Sequence, residues 1–289
     1  MNVVFLTWLS DLFEGVEGPG TMFCKAGIEV YNQCISVLTG ILLSDLNSSS
    51  GSAATFSDAW NSVIGGGAYS LMLAISGVFA FVFFYTGWVR ESVDLTKITN
   101  WEANISLFIR LGIAVAAVTQ VARLMPKIIS AGVGVGLKMN PGNCQIDSGV
   151  ANDMMEGISP LLGWLFGMIY FLVLVVCGAM LLFIGIKRLM KLVVLGCLAP
   201  PMLATAAGGN GINRSAVVWT RTFISTAFSN VAIILALVVS SKFMPLEILP
   251  PDQTTTGIIL GVVTIVKVVM VSGFAKAAET LLDRLLGVT

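Results

Sequence analysis

Lys187-Arg188-Leu189-Met190-Lys191 opens the stretch that decides the topology. The apolar run Leu192 to Ala207 follows with Pro200-Pro201 inside it, then Gly208-Gly209-Asn210-Gly211, Arg214 and Arg221. A spanning helix needs about 20 mostly apolar residues. This run is shorter than that and interrupted, yet too apolar for an ordinary loop. Proline removes a backbone donor and crowds the preceding turn. The pair Pro200 and Pro201 therefore predicts a re-entrant turn, with the run lying along the membrane or dipping into one leaflet.

The rest of the chain is membrane material. Of 289 residues, 56% are hydrophobic and 11% charged, against roughly 25% charged in soluble domains. Mean hydropathy is +0.91. The formal net charge is zero, so no bulk field favours nucleic acid. Histidine is absent, which removes His-based metal sites, Ser-His-Asp triads and the ordinary pH switch. No cofactor is implied.

The expected fold class is an all-α polytopic membrane protein with short amphipathic helices at its termini. Residues 1–65 form an N-terminal extracytoplasmic or interfacial region. In it Met1 to Phe13 reads as an amphipathic surface helix, not a cleavable signal, because acids rather than a basic start flank it. Leu46 to Ser57 reads as a linker, with a helix start at Ser57-Asp58. The transmembrane core covers 66–274, with spans at about 66–89, 106–134, 161–186, 216–239 and 257–274. Thr99-Asn100-Trp101-Glu102 is a capping box ahead of the second span, and Ser159-Pro160 a cap ahead of the third. Residues 275–289 form a short amphipathic tail, with Phe274, Leu281, Leu282 and Leu285 opposite Lys276, Glu279 and Asp283.

Charge sets the orientation. If Leu192–Ala207 does not span, one side carries Arg90, Lys97, Lys187, Arg188, Lys191, Arg214, Arg221, Lys276 and Arg284. The other carries Lys25, Lys127, Lys138 and Lys242. That nine-to-four split meets the positive-inside rule with the N-terminus outside and the C-terminus cytoplasmic. If the run does span, Lys242–Thr256 becomes a cytoplasmic loop with one lysine and two acids, which fits the rule poorly.

Few residues invite chemistry. Lys267 stands near the middle of span five, where a charge costs about 2.5–3.5 kcal/mol and usually faces protein or a wet cavity. A lumen, subunit-interface or headgroup contact competes there with simple snorkelling. Arg110 and Arg123 lie about 20 Å apart along one helix, so each reaches an interface. Gly163-xxx-Gly167 permits close helix packing. Cys24 and Cys34 form a disulfide in an oxidising compartment or stay as free thiols. Gly208 to Ser215 lacks the ending of a phosphate loop, and the outer carboxylates lack calcium-loop spacing. Lys187, Arg188, Lys191, Arg214 and Arg221 form a basic collar for anionic lipid or for a cytoplasmic docking partner, or act simply as topology determinants.

Several stretches carry a resemblance. Phe56-Ser57-Asp58-Ala59-Trp60 precedes the first span. Arg90-Glu91-Ser92-Val93-Asp94 leads into Trp101-Glu102 and the Arg110 helix. Lys187-Arg188-Leu189 runs to Leu198-Ala199-Pro200-Pro201, followed by Trp219-Thr220-Arg221-Thr222-Phe223. Over most of residues 55–289 the chain resembles the TrbL-type polytopic inner-membrane component of type IV secretion and conjugation machines, closest to the variants on Gram-positive mobile elements. The resemblance implies five spans, N-out and C-in, in the bacterial cytoplasmic membrane. It implies a non-enzymatic subunit of the translocation channel and pilus-assembly platform. It also implies a symmetric ring of copies, with pilin, other channel subunits and secretion ATPases as partners and DNA or nucleoprotein in transit. The cysteine-bearing N-terminal region matches nothing in that family. A small-molecule transporter or ion channel acting alone is the competing class; internal repeats and acids within the spans, which would favour it, are missing.

Overall fold

The computed structural model describes residues 19–43, 52–92, 101–139, 144–155, 158–209, 213–243 and 257–285. Every regular element among them is helical. These are α1 (Pro19–Leu42), α2 (Ser52–Ile64), α3 (Gly67–Ser92), α4 (Trp101–Met139), α5 (Val150–Met155), α6 (Pro160–Ala204), a 3-10 turn (Thr205–Gly208), α7 (Arg214–Phe243) and α8 (Gly257–Leu285). Among the described residues five stretches are long and apolar enough to cross a membrane: Gly67–Arg90, Phe108–Met139, Pro160–Gly208, Arg214–Lys242 and Gly257–Leu285. The expected surface helix at Met1–Phe13 lies outside the described residues, as do 93–100 and 244–256.

Three boundaries differ from the sequence expectation. The linker over 46–57 is shorter, because α2 already begins at Ser52. The tail is no separate helix: α8 runs unbroken for 29 residues through Phe274 and Lys276, since no proline intervenes. The largest correction concerns Pro200 and Pro201. The chain does not turn there. Helix α6 is continuous for 45 residues and contains both prolines. At 1.5 Å per residue it is about 68 Å long, roughly twice a 30 Å hydrocarbon core.

Packing against α7 holds α6 helical through the two prolines. Each removes one donor, aimed at the carbonyl four residues back, and both rings are buried. The adjacent Leu195 carbonyl receives the Trp219 indole N–H at 3.0 Å, so α7 packs on α6 across this stretch. The reversal comes later, at the 3-10 turn and Gly209, whose φ of 72° suits a residue without Cβ. Thr205 fixes it. Its hydroxyl donates to the Met202 carbonyl at 2.7 Å and accepts the Ala216 N–H at 3.1 Å. A Cβ on Gly87 of α3 would stand 2.7 Å from the Gly208 carbonyl oxygen, so only glycine lets that helix approach the turn.

The chain divides into two compact units, 1–39 with 139–185 and 233–278, and 40–138 with 186–232 and 279–289. In the first, α1 buries Cys24, Ile28, Tyr31, Ile35 and Leu38, a 4-3-4-3 spacing that makes one helical stripe. That stripe lies on the first half of α6. The backbone of Gly20 meets Gly163 and Gly167, and Gly27 meets Phe171 and Leu174. Asn32 clamps the loop ahead of α5, donating to the Ile146 carbonyl and accepting the Ile146 N–H, both at 2.9 Å. Cys144 is buried there and donates to the Leu237 carbonyl at 3.2 Å. The second unit packs Trp60, Tyr69, Met125, Ile129, Leu192, Trp219 and Phe223 into one cluster, with Trp219 stacked on Phe223 at 5.3 Å.

Candidate functional site

Lys187 and Lys191 stand four residues apart on α6, on one helical face. Glu279 and Asp283 stand four apart on α8 and meet them rung by rung. Lys187 Nζ lies 3.2 Å from Glu279 Oε1, and Lys191 Nζ 3.6 Å from Asp283 Oδ2. The second rung extends to α7, because Ser225 Oγ donates to Asp283 Oδ1 at 2.6 Å. Lys187 remains 53% exposed while its partner Glu279 is only 12% exposed. The acids are therefore the covered half of the ladder and the lysines its outer half.

Arg188 points the other way. It is 3% exposed, and its guanidinium is spent on α7. Nε donates to the Thr226 carbonyl at 3.3 Å and to Ser229 Oγ at 3.2 Å. Nη2 donates to the Ala227 carbonyl at 3.2 Å. Among the described residues no carboxylate pairs with it. A planar guanidinium with fixed donors suits several acceptors on one helix face. Charge-assisted hydrogen bonds then offset part of the desolvation cost. Gly132 of α4 approaches the same place, since a Cβ there would lie 3.0 Å from the Ala227 oxygen. Next along α7, buried Asn230 donates to the Leu42 carbonyl at the end of α1. Its own side-chain oxygen has no hydrogen-bond partner among the described residues.

The expected collar thus divides. Lys187, Lys191, Arg214 and Arg221 are wholly or partly open to their surroundings. Arg188 is not, and a docking or lipid-contact role for it is corrected here: its donors are already used inside the fold. Lys267 and Arg110 are half-buried on α8 and α4. Gly163 and Gly167 are buried on α6 against Gly20. The Cys24–Cys34 bridge is also corrected. Both thiols are free, and ten residues on one continuous helix separate them by about 15 Å, where a disulfide needs Cα atoms within about 7 Å. Burial pushes the Cys24 thiol up to about 12 and the Cys144 thiol up to about 11, so neither ionises near neutral pH.

Sequence reasoning did not single out Ser225, Thr226, Ser229 and Asn230. Their signal was present as four polar residues crowded on two turns of an apolar helix. It also left Glu279 and Asp283 as a solvated tail face, although their step matches that of Lys187 and Lys191. Among the described residues no cluster of three His, Cys, Asp or Glu is placed to hold a metal.

Five apolar helices, an exclusively helical described structure and extensive exposed apolar surface define an all-α polytopic membrane protein in contact with lipid. No family model, curated protein or solved structure matches the chain.

Proposed function

We propose that this protein is a non-enzymatic structural subunit of the inner-membrane channel and pilus-assembly platform of a type IV secretion machine, passing DNA or protein. The observation that carries this reading is the agreement in span number. The TrbL-type resemblance implies five spans, and five long apolar helices occur among the described residues, three of them close to the expected boundaries. The charge bias supports an N-out, C-in orientation in a bacterial cytoplasmic membrane. In that orientation Lys187, Lys191, Arg214 and Arg221 form the cytoplasmic face offered to secretion ATPases. Arg188 serves as an internal anchor beneath that face. Copies assemble into a symmetric ring, with pilin and other channel subunits on the outer side.

Deleting the coding sequence from its genetic element and measuring transfer to recipient cells tests the reading. Transfer should fall to background and return with the wild-type chain, and images of purified particles should show a ring. Undiminished transfer from the deletion strain overturns the proposal. Substrate-dependent flux in liposomes from this chain alone would assign it to the transporter or channel class instead.

A further inference from the structure

Between the end of α6 and the start of α7 lies a groove of about 550 Å³. Leu195, Leu198 and Met202 wall one side; Arg214, Ser215, Val218, Trp219 and Thr222 wall the other. The α7 residues descend in helical steps. Arg214 and Ser215 come first, Val218 and Trp219 a turn later, and Thr222 a turn beyond. A cation and a hydroxyl therefore sit at one end of an apolar trough. Trp219 adds only ring surface, because its N–H is committed to the Leu195 carbonyl.

We propose that this groove binds one anionic phospholipid, its phosphate on Arg214 and one acyl chain between Leu198, Met202 and Val218. Both walls belong to helices apolar enough to cross a membrane, and neighbouring Val194 and Val217 are exposed. Exposed apolar surface therefore continues from the mouth of the groove, as an acyl chain requires. Arg214 is exposed and makes no ion pair among the described residues, so its charge is available to a ligand. Among the described residues no carboxylate lines the groove. A zwitterionic headgroup would bring a second cation with no acid to meet it, whereas an anionic headgroup brings the complement alone. Arg221, seven residues on and exposed, adds a second cation on the same helical face. This site stands whether or not the chain serves in secretion.

The test uses the purified full-length chain in detergent, with lipid retention read by native mass spectrometry. Phosphatidylglycerol, phosphatidylcholine of the same chain length and inorganic phosphate are the three probes. Phosphatidylglycerol should be retained in preference to phosphatidylcholine. Arg214→Gln should weaken it roughly fivefold, as expected for one surface cation. Arg214→Lys should keep most of the preference. Val218→Trp, which fills the trough, should abolish retention, while Val194→Trp outside it should not. Circular dichroism checks that each variant keeps its helix content. Equal retention of the two lipids overturns the proposal. So does indifference to both Arg214→Gln and Val218→Trp, or displacement of the lipid by inorganic phosphate at comparable concentration.

Discussion

Lys191 of α6 holds Asp283 of α8 at 3.6 Å, and the same carboxylate accepts the Ser225 hydroxyl of α7 at 2.6 Å. One side chain near the C-terminus thus ties three helices together. Exposed pairs contribute about 0.2–1 kcal/mol, and this one is partly covered. A double-mutant cycle on Lys191→Ala and Asp283→Ala should give a coupling energy of about 0.5–1 kcal/mol, read from unfolding in detergent. Asp283→Lys alone should lower the midpoint, and Lys191→Glu added to it should recover part of the loss. Full additivity would mean that the rung contributes nothing.

Arg188 predicts a different pattern, because its partners are backbone carbonyls and a hydroxyl rather than an acid. A lysine keeps the charge but loses the fork that reaches all three acceptors. Arg188→Lys should therefore destabilise by about 1.5–3 kcal/mol, the range for hydrogen bonds to a charged group. Arg188→Glu, facing two carbonyl oxygens, should prevent accumulation of folded protein. Lys187→Glu is the control: the Lys187 side chain is 53% exposed, so the folded state should persist with the Glu279 rung lost. Thermal unfolding and yield of the three variants would separate anchor from surface charge. Equal behaviour of Arg188→Lys and wild type would remove the anchor role.

The helical class and the five apolar stretches were legible because hydropathy alone dictates them: lipid leaves a spanning segment little choice but a helix. What the sequence concealed depended on long-range packing. Pro200-Pro201 reads locally as a break, yet α6 continues because its end is clasped by Trp219 and Thr205. Cys24 looks like a residue of a polar segment, yet the stripe from Cys24 to Leu38 is buried on α6. The register of Lys187 and Lys191 was visible, as was that of Glu279 and Asp283. Nothing local said that two helices about 90 residues apart in sequence would set those registers side by side.

The cysteines give a chemical check on that buried stripe. Only the thiolate reacts quickly, and with Cys24 pushed up to about 12 by burial about one thiol in ten thousand is ionised at pH 8. Burial also raises Cys144, to about 11. Maleimide added to the folded protein at pH 8 should therefore leave both unmodified over minutes, and denaturant should release them. The rate should climb with pH toward those values, because the raised groups deprotonate only there. The intact mass should be the same with and without reductant, as five free thiols require. Rapid labelling of Cys24 in the folded state would show that α1 does not lie on α6 as described.

The glycine contact between α1 and α6 makes the sharpest contrast. A Cβ on Gly167 would stand 2.6 Å from the Gly20 carbonyl oxygen, and that oxygen is backbone, unable to swing aside. Gly167→Ala should therefore force the helices apart at a cost of about 1–3 kcal/mol, the usual penalty of overpacking. Gly112 of α4 has nothing within 4 Å of the same added atom. There the only effect is the lost backbone freedom of glycine, and Gly112→Ala should stabilise the helix by about 0.5–1 kcal/mol. The two substitutions are chemically identical, so their difference isolates the contact. Unfolding midpoints measured side by side should move in opposite directions. If both rise, the close approach of Gly20 to Gly167 does not hold α1 in place.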